Sequence, residues 1–256
     1  MIPGKIGRLF QVGWNLPGNL LQAPVIVLCY HRVARPERDP HQLAVSPENF
    51  REQMKFLRDN FPVLRFDGKW DFEKVSFVIT FDDGYADNLH EALPILHETG
   101  LPATVFVSSG FTGGGRAFPW DGDDSPARPE HRQLSADELR QLAADPLVTL
   151  GSHTLTHPRL SELPPAEQEK EILSGHRALE ETVGKKLSVM SYPFGNHGDF
   201  DRNCREICRK AGFMRAAANY PGQAHSWTDP MAVPRHVIRD YGTRAFRERL
   251  FRFRFL

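Results

Sequence analysis

The chain is short of cysteine, has no excess of either charge and contains no long apolar run, and each shortage removes a class of protein. Three cysteines, Cys29, Cys204 and Cys208, among 256 residues are too few and too unevenly spaced for a disulfide framework, which favours a reducing compartment. Lysine plus arginine equals aspartate plus glutamate at 32 each, so no global field draws the chain to nucleic acid or an anionic membrane. No window approaches the roughly 20 apolar residues of a spanning helix. Near the N-terminus Gln11, Asn15, Pro17 and Asn19 interrupt the apolar residues that a secretory signal would need, so cytoplasm is the expected location. Internal repeats, low-complexity tracts and evident linkers are absent too, and the length suits one domain.

What is present is an alternation of strand and helix. Buried strands are expected at 25–30, 75–80, 103–107, 147–151 and 187–192, with weaker ones at 214–218 and 233–238. Between them Ser46-Pro47-Glu48 starts a helix with Ser as N-cap, and Gly100 closes a helix in which Pro94 should cause a bend. Ser135-Ala-Asp-Glu138 is a capping box. Helices are also expected at 164–183, stopped by Gly184, at 201–211, and near 243–251. Seven such alternations read as a parallel sheet with crossover helices. The fold class is therefore α/β, a distorted (β/α)7 barrel in a single domain: an extension at 1–24, the barrel at 25–238 and a basic, aromatic tail at 239–256.

The chain is organised around Val75-Ser-Phe-Val-Ile-Thr-Phe-Asp-Asp-Gly-Tyr85, an apolar run that delivers Asp82 and Asp83 into a glycine turn. Adjacent carboxylates repel, so such a pair calls for a cation or for two different roles. Gly151-Ser-His-Thr-Leu-Thr-His157, again after an apolar run, offers two histidines four apart, which on one helical turn would reach one ion. Taken singly, the aspartates also read as a turn and helix cap, and the histidines as core or solvated residues. Taken together they lie where a barrel keeps its active site, for His31, Asp82, Asp83, His153, His157 and the Pro193 turn all follow the C-terminal end of an expected strand.

At Thr80-Phe-Asp-Asp-Gly84 and Ser152-His-Thr-Leu-Thr-His157 the sequence resembles the polysaccharide deacetylase family, the NodB-homology group of carbohydrate esterases, over roughly residues 25–238. The resemblance implies a NodB-like distorted barrel and metal-dependent removal of an acetyl group from an N-acetylated sugar of a polysaccharide or glycan precursor. It implies Asp82 as catalytic base, Asp83, His153 and His157 as ligands of one divalent ion, zinc before cobalt or nickel, and the backbone N–H of Phe194 as an oxyanion donor. The family's third motif corresponds to Ser191-Tyr-Pro-Phe-Gly195, which lacks the arginine that pairs with the base; Arg235 is the candidate substitute. For the general acid, His236 is preferred to His31. Tyr85 and Trp120 are further candidates for the sugar site.

Two other functions fit the same residues: deformylation or amide hydrolysis on another acylated substrate, and a non-catalytic, metal-stabilised carbohydrate-binding protein. The tail carries six arginines from Arg239 onward, interleaved with Phe246, Leu250, Phe251, Phe253, Phe255 and Leu256. It reads first as a helix packed on the barrel and second as a peripheral contact with a membrane surface. Expected partners are thus an N-acetylated glycan, no nucleic acid and no bilayer-spanning segment.

Overall fold

The computed structural model describes residues 21–113, 118–121 and 131–253. Residues 1–20 of the expected extension, residues 114–117 and 122–130, and the last three residues of the tail lie outside them. In chain order the strands are β1 (Val25–Tyr30), β2 (Arg32–Val33), β3 (Ala44–Val45), β4 (Val63–Leu64), β5 (Ser76–Phe81), β6 (Ala103–Val107), β7 (Val148–Ser152), β8 (Val189–Ser191), β9 (Arg215–Ala217) and β10 (His236–Val237). The α-helices are α1 (Pro47–Asn60), α2 (Leu93–Thr99), α3 (Ala136–Ala144), α4 (Pro165–Val183), α5 (Arg202–Lys210) and α6 (Thr243–Phe253).

Eight strands form a parallel sheet, seven of them in the order β10, β1, β5, β6, β7, β8, β9 and the eighth, β4, alongside β5. A parallel bridge from Ala217 to Val233 joins the β9 edge to the chain leading into β10, which curls the sheet toward closure. β1 and β5 are buried along their whole length, as strands covered on both faces must be, and this is why their sequences read as unbroken apolar runs. The barrel is distorted because β5 is shared: Phe77 and Val78 pair with β4, while Thr80 and Phe81 pair with β6. β2 and β3 pair only with each other, in the segment that reads from sequence as a polar loop.

Side chains alternate across each strand, and that parity divides the core. Ile26, Leu28, Tyr30, Phe77, Ile79 and Phe81 pack outward against helices. Val25, Val27, Val78, Phe106, Val189 and Val233 fill the interior. Apolar side chains of the first kind, each worth about 1.5–3 kcal/mol when fully buried, together far outweigh any surface ion pair; the helix layer is therefore what holds the sheet in its curl.

Two expectations are corrected here. Ser46 stands at the N-cap of α1 but makes no capping bond; its hydroxyl donates to Asp240 at 2.8 Å instead. Around Pro94 a π-helical turn, Asn88–Ala92, runs directly into α2, with the proline in the first turn of α2. The strands expected at 187–192 and 233–238 shrink to β8 and β10. The capping box at Ser135 and the left-handed caps at Gly100 and Gly184 form as expected. The tail forms α6, which buries Phe246, Leu250 and Phe253 on the core. No helix among the described residues is long and apolar enough to cross a membrane.

Candidate active site

The C-terminal ends of β1, β5, β7 and β10 and the turns after β8 and β9 open into one cavity of about 350 Å³. Its walls include His31, Asp82, Asp83, His153, His157 and Phe194. Continuing the alternation of β5 past Val78 and Thr80 points Asp82 into the barrel. Asp83 then turns away with φ at 77°, followed by Gly84 at 83°, so a left-handed pair of residues is what lets neighbouring carboxylates face different partners.

Asp83 Oδ1 lies 3.6 Å from His153 Nε2 and 3.4 Å from His157 Nε2, and the three side chains offer ligand atoms all within 4.8 Å of one another. His153 Nδ1 sits 2.9 Å from the Ser191 carbonyl, which can only accept, so Nδ1 carries the proton and Nε2 presents a lone pair. Burial, only partly offset by the two aspartates, pushes the His153 pKa down to about 4, so the ring is neutral at pH 7. A neutral imidazole lone pair facing a carboxylate oxygen is repulsive unless a cation lies between them. The donor set, one oxygen and two nitrogens, is that of an open divalent-metal site, and these residues fit the ion expected from the sequence.

The histidines are not on a helical turn. His153 directly follows β7, and His157 ends a loop in which Thr154 and His157 both take positive φ, 63° and 59°. Such backbone is costly and must be held from outside. Glu171 of α4 does so: its carboxylate accepts the N–H groups of Leu155 and Thr156 at 3.1 and 2.8 Å and the Thr156 hydroxyl at 2.7 Å. At Gly175, one turn further along α4, a Cβ would come within 2.4 Å of the Thr154 backbone, so only glycine lets the helix approach this loop. The rings of Trp120, Phe194 and Phe118 surround His157 at 4.8, 5.0 and 5.6 Å.

Asp82 is nearly completely buried and is held by Arg235, completely buried, through two parallel hydrogen bonds of 2.7 and 2.6 Å. The Ser191 hydroxyl is 3.3 Å from both oxygens, and the Cys29 thiol, its pKa raised well above its usual value by burial, lies 3.6 Å from Oδ2. Burial disfavours the charge on Asp82, but the Arg235 charge outweighs it, with His153 and the arginine hydrogen bonds adding, and keeps the carboxyl well below the usual range. Cys29, His31 and Asp82 also bring three ligand-type atoms together, yet the guanidinium already on Asp82 opposes a second cation there.

The two acid candidates are separated by strand parity. His31 follows β1 and lines the cavity beside both aspartates, its Nδ1 buried and without a hydrogen-bond partner among the described residues. His236 pairs with Leu28 and therefore faces outward. Its ring stacks on Phe253 at 3.8 Å, in the layer beneath α6, and does not line the cavity. The preference for His236 from sequence thus runs against its position. Tyr85 is likewise a supporting residue rather than a wall of this cavity: its hydroxyl donates to Asp121 at 3.0 Å and accepts from the Trp120 indole at 3.0 Å, which fixes Trp120 over His157. Asn196, Asn219 and Arg239 complete the wall. Sequence reading passed over these three, along with Ser191 and Glu171, because nothing local distinguishes them from surface polar residues.

Comparison with known proteins agrees with this geometry. The sequence model of a family described as polysaccharide deacetylase matches residues 69–216. The Bacillus subtilis protein YxkH, named as a candidate polysaccharide deacetylase, is 25% identical over 211 residues, 79% of this chain and 67% of that protein. A solved polysaccharide deacetylase from Bacillus cereus superimposes with a TM-score of 0.73 at 25% identity, over 89% of this chain and 69% of that one. IcaB from Ammonifex degensii gives 0.72 at 22% identity, over 91% and 97%, a likeness that speaks for the fold alone.

Proposed function

This chain belongs to the polysaccharide deacetylase family, and we propose from that premise that it is a metal-dependent hydrolase that removes the acetyl group from N-acetylated sugars of a glycan or glycan precursor. The observation that carries the reading is the convergence of Asp83, His153 and His157 beside a second carboxylate, Asp82, that is kept ionised by Arg235. Asp83, His153 and His157 would hold the ion, zinc before cobalt or nickel. A bound divalent ion supplies polarisation of an acyl carbonyl and an acidified water, whose pKa on zinc falls to about 7.

The remaining work falls to the chain's own groups. Asp82 would take a proton from the attacking water at a carboxylate oxygen. Arg235 holds both carboxylate oxygens so that the base neither rotates toward Asp83 nor becomes protonated. Phe194 lines the cavity, and its backbone N–H would meet the developing oxyanion, a role independent of the side chain. His31 delivers a proton to the departing nitrogen, since an amine leaves poorly unless protonated. It lines the cavity beside Asp82 and Asp83 and is not one of the three metal-site residues. The arginine missing from the third motif is supplied by Arg235, just before β10, which favours a working base. The test is acetate release from a panel of N-acetylated oligosaccharides by protein stripped of metal and reloaded with zinc, cobalt or nickel. Release restored by one of these ions supports the reading, and a stripped protein as active as the reloaded one ends it.

A further inference from the structure

The two histidines of the candidate metal site are held in different ways. His153 is fixed at three points: its backbone N–H donates to the Val107 carbonyl at 2.9 Å, its carbonyl accepts from the Ser108 hydroxyl at 2.8 Å, and its Nδ1–H donates to the Ser191 carbonyl at 2.9 Å. A metal-binding imidazole is ordinarily oriented in this manner, by a partner on the nitrogen that faces away from the ion. His157 lacks that partner, for its Nδ1 is buried and makes no hydrogen bond among the described residues. Aromatic faces bound its ring, but they fill space without fixing a nitrogen. The backbone therefore decides where its Nε2 lies.

That backbone is an arch pressed between two elements. On one side Gly110, in the 3₁₀ turn Ser109–Phe111, donates to the Leu155 carbonyl at 2.8 Å, and a Cβ at Gly110 would come within 2.5 Å of that oxygen. On the other side is α4, where Glu171 accepts the Leu155 N–H on both its carbonyl and its carboxylate, each at 3.1 Å, and takes the Thr156 N–H and hydroxyl on the carboxylate. Inside the arch the His157 N–H donates to the Thr154 hydroxyl at 3.2 Å. The two glycines set how closely the elements approach; the Glu171 carboxylate makes directional bonds to the residue next to His157. Thr154 and His157 hold positive φ, so an arch released from this carboxylate relaxes toward ordinary backbone and carries His157 Nε2 away from Asp83. Glu171 does not line the cavity, so it acts on an ion there only through the arch.

We propose that Glu171 is a positioning residue for the metal, setting the affinity of the site through His157 without touching the ion. The inference rests on the metal site proposed above and adds the group that keeps its third ligand in place.

The experiment measures zinc affinity of the full chain by competition with a chelating dye, for wild type, Glu171→Ala, His157→Ala and the double variant. Glu171→Ala should weaken zinc binding by about 10-fold to 100-fold, as removal of a group that supports a ligand does. The double variant should bind zinc no more weakly than His157→Ala alone, because a residue that acts through another has nothing left to act on. Glu171→Gln keeps an acceptor oxygen for the two N–H groups and should lose less than Glu171→Ala. Where Glu171→Ala fails to fold, the same comparison is run with Glu171→Gln, whose smaller loss must likewise vanish beside His157→Ala. Wild-type affinity in the Glu171 variant so tested would overturn the proposal. Losses that add in the double variant would overturn it too, since Glu171 would then support the fold at large. A wild-type chain that takes up no divalent ion would overturn the metal-dependent reading together with this inference, whereas zinc uptake by wild type with unchanged affinity in the variants overturns this inference alone.

Discussion

Arg235 and His236 are neighbours in sequence and lie in opposite regions of the molecule. Arg235 points into the barrel, where Asp82 takes both of its inner N–H groups; His236 points out into the layer under α6, where its Nε2 has no hydrogen-bond partner among the described residues. Both are buried cationic-type side chains, and burial costs each of them its charge. A partner decides the outcome. Burial lowers the pKa of Arg235, yet the Asp82 charge overrides it and the guanidinium is held more firmly protonated than usual. Burial alone governs His236, only slightly opposed by the Gly222 carbonyl, and pushes it down to about 4. Two adjacent residues at the start of β10 therefore put a charge that serves the site on one side and a neutral ring that serves packing on the other.

The sharpest way to break this contrast is to exchange the roles it assigns. Asp82→Asn should retain stoichiometric metal and lose on the order of 10²-fold to 10⁴-fold in turnover, because the amide keeps the shape but cannot take a proton. Turnover near that of wild type with metal in place would put the base elsewhere. His31→Ala should slow amide substrates by about 10²-fold or more while sparing an activated ester whose leaving group needs no proton, and His236→Ala should do neither. A selective amide defect in the His236 variant would reverse the assignment made from strand parity.

Removing the arginine tests the paired face by stability. Arg235→Met leaves Asp82 as an uncompensated buried charge and should cost about 3–5 kcal/mol in urea unfolding. The double variant Arg235→Met with Asp82→Leu should recover most of that loss. If the single variant unfolds at the wild-type urea midpoint, the pair is not what keeps Asp82 charged.

The unpaired face gives the smallest effect, and it appears only in acid. The folded-state pKa of His236 lies below the unfolded value of about 6.5, so between those two values the unfolded chain binds more protons. Stability is therefore complete above pH 6.5 and falls as pH drops toward 4. The loss from this one residue should be about 2 kcal/mol at pH 5. His236→Leu, matched to wild type at pH 7.5, should be the more stable of the two at pH 5 by about that amount. Because His153, His176 and His225 are also lowered by burial, only the difference between the two proteins isolates His236; an equal acid loss in both would mean that its ring is solvated.

The sequence by itself determined which elements form and most of what the site is made of. Apolar runs at 25–30 and 75–80 are buried strands because no other arrangement hides both of their faces, and Ser135, Gly100 and Gly184 mark helix ends by capping chemistry that acts over three or four residues. Asp82, Asp83, His153 and His157 were legible because each stands just beyond a strand end, and strand ends share one rim of the barrel. Local pattern could not say what those residues touch. The choice of His31 over His236 in the cavity depends on the pairing of His236 with Leu28, a register set across more than 200 residues. The bond from Arg235 to Asp82 closes a gap of 153 residues. The support of the His157 loop by Glu171 depends on how closely α4 can approach at Gly175. Only the curled sheet and its packed helices decided these, because contacts between distant segments are selected by parity, register and close packing, none of which is written in any single stretch of the chain.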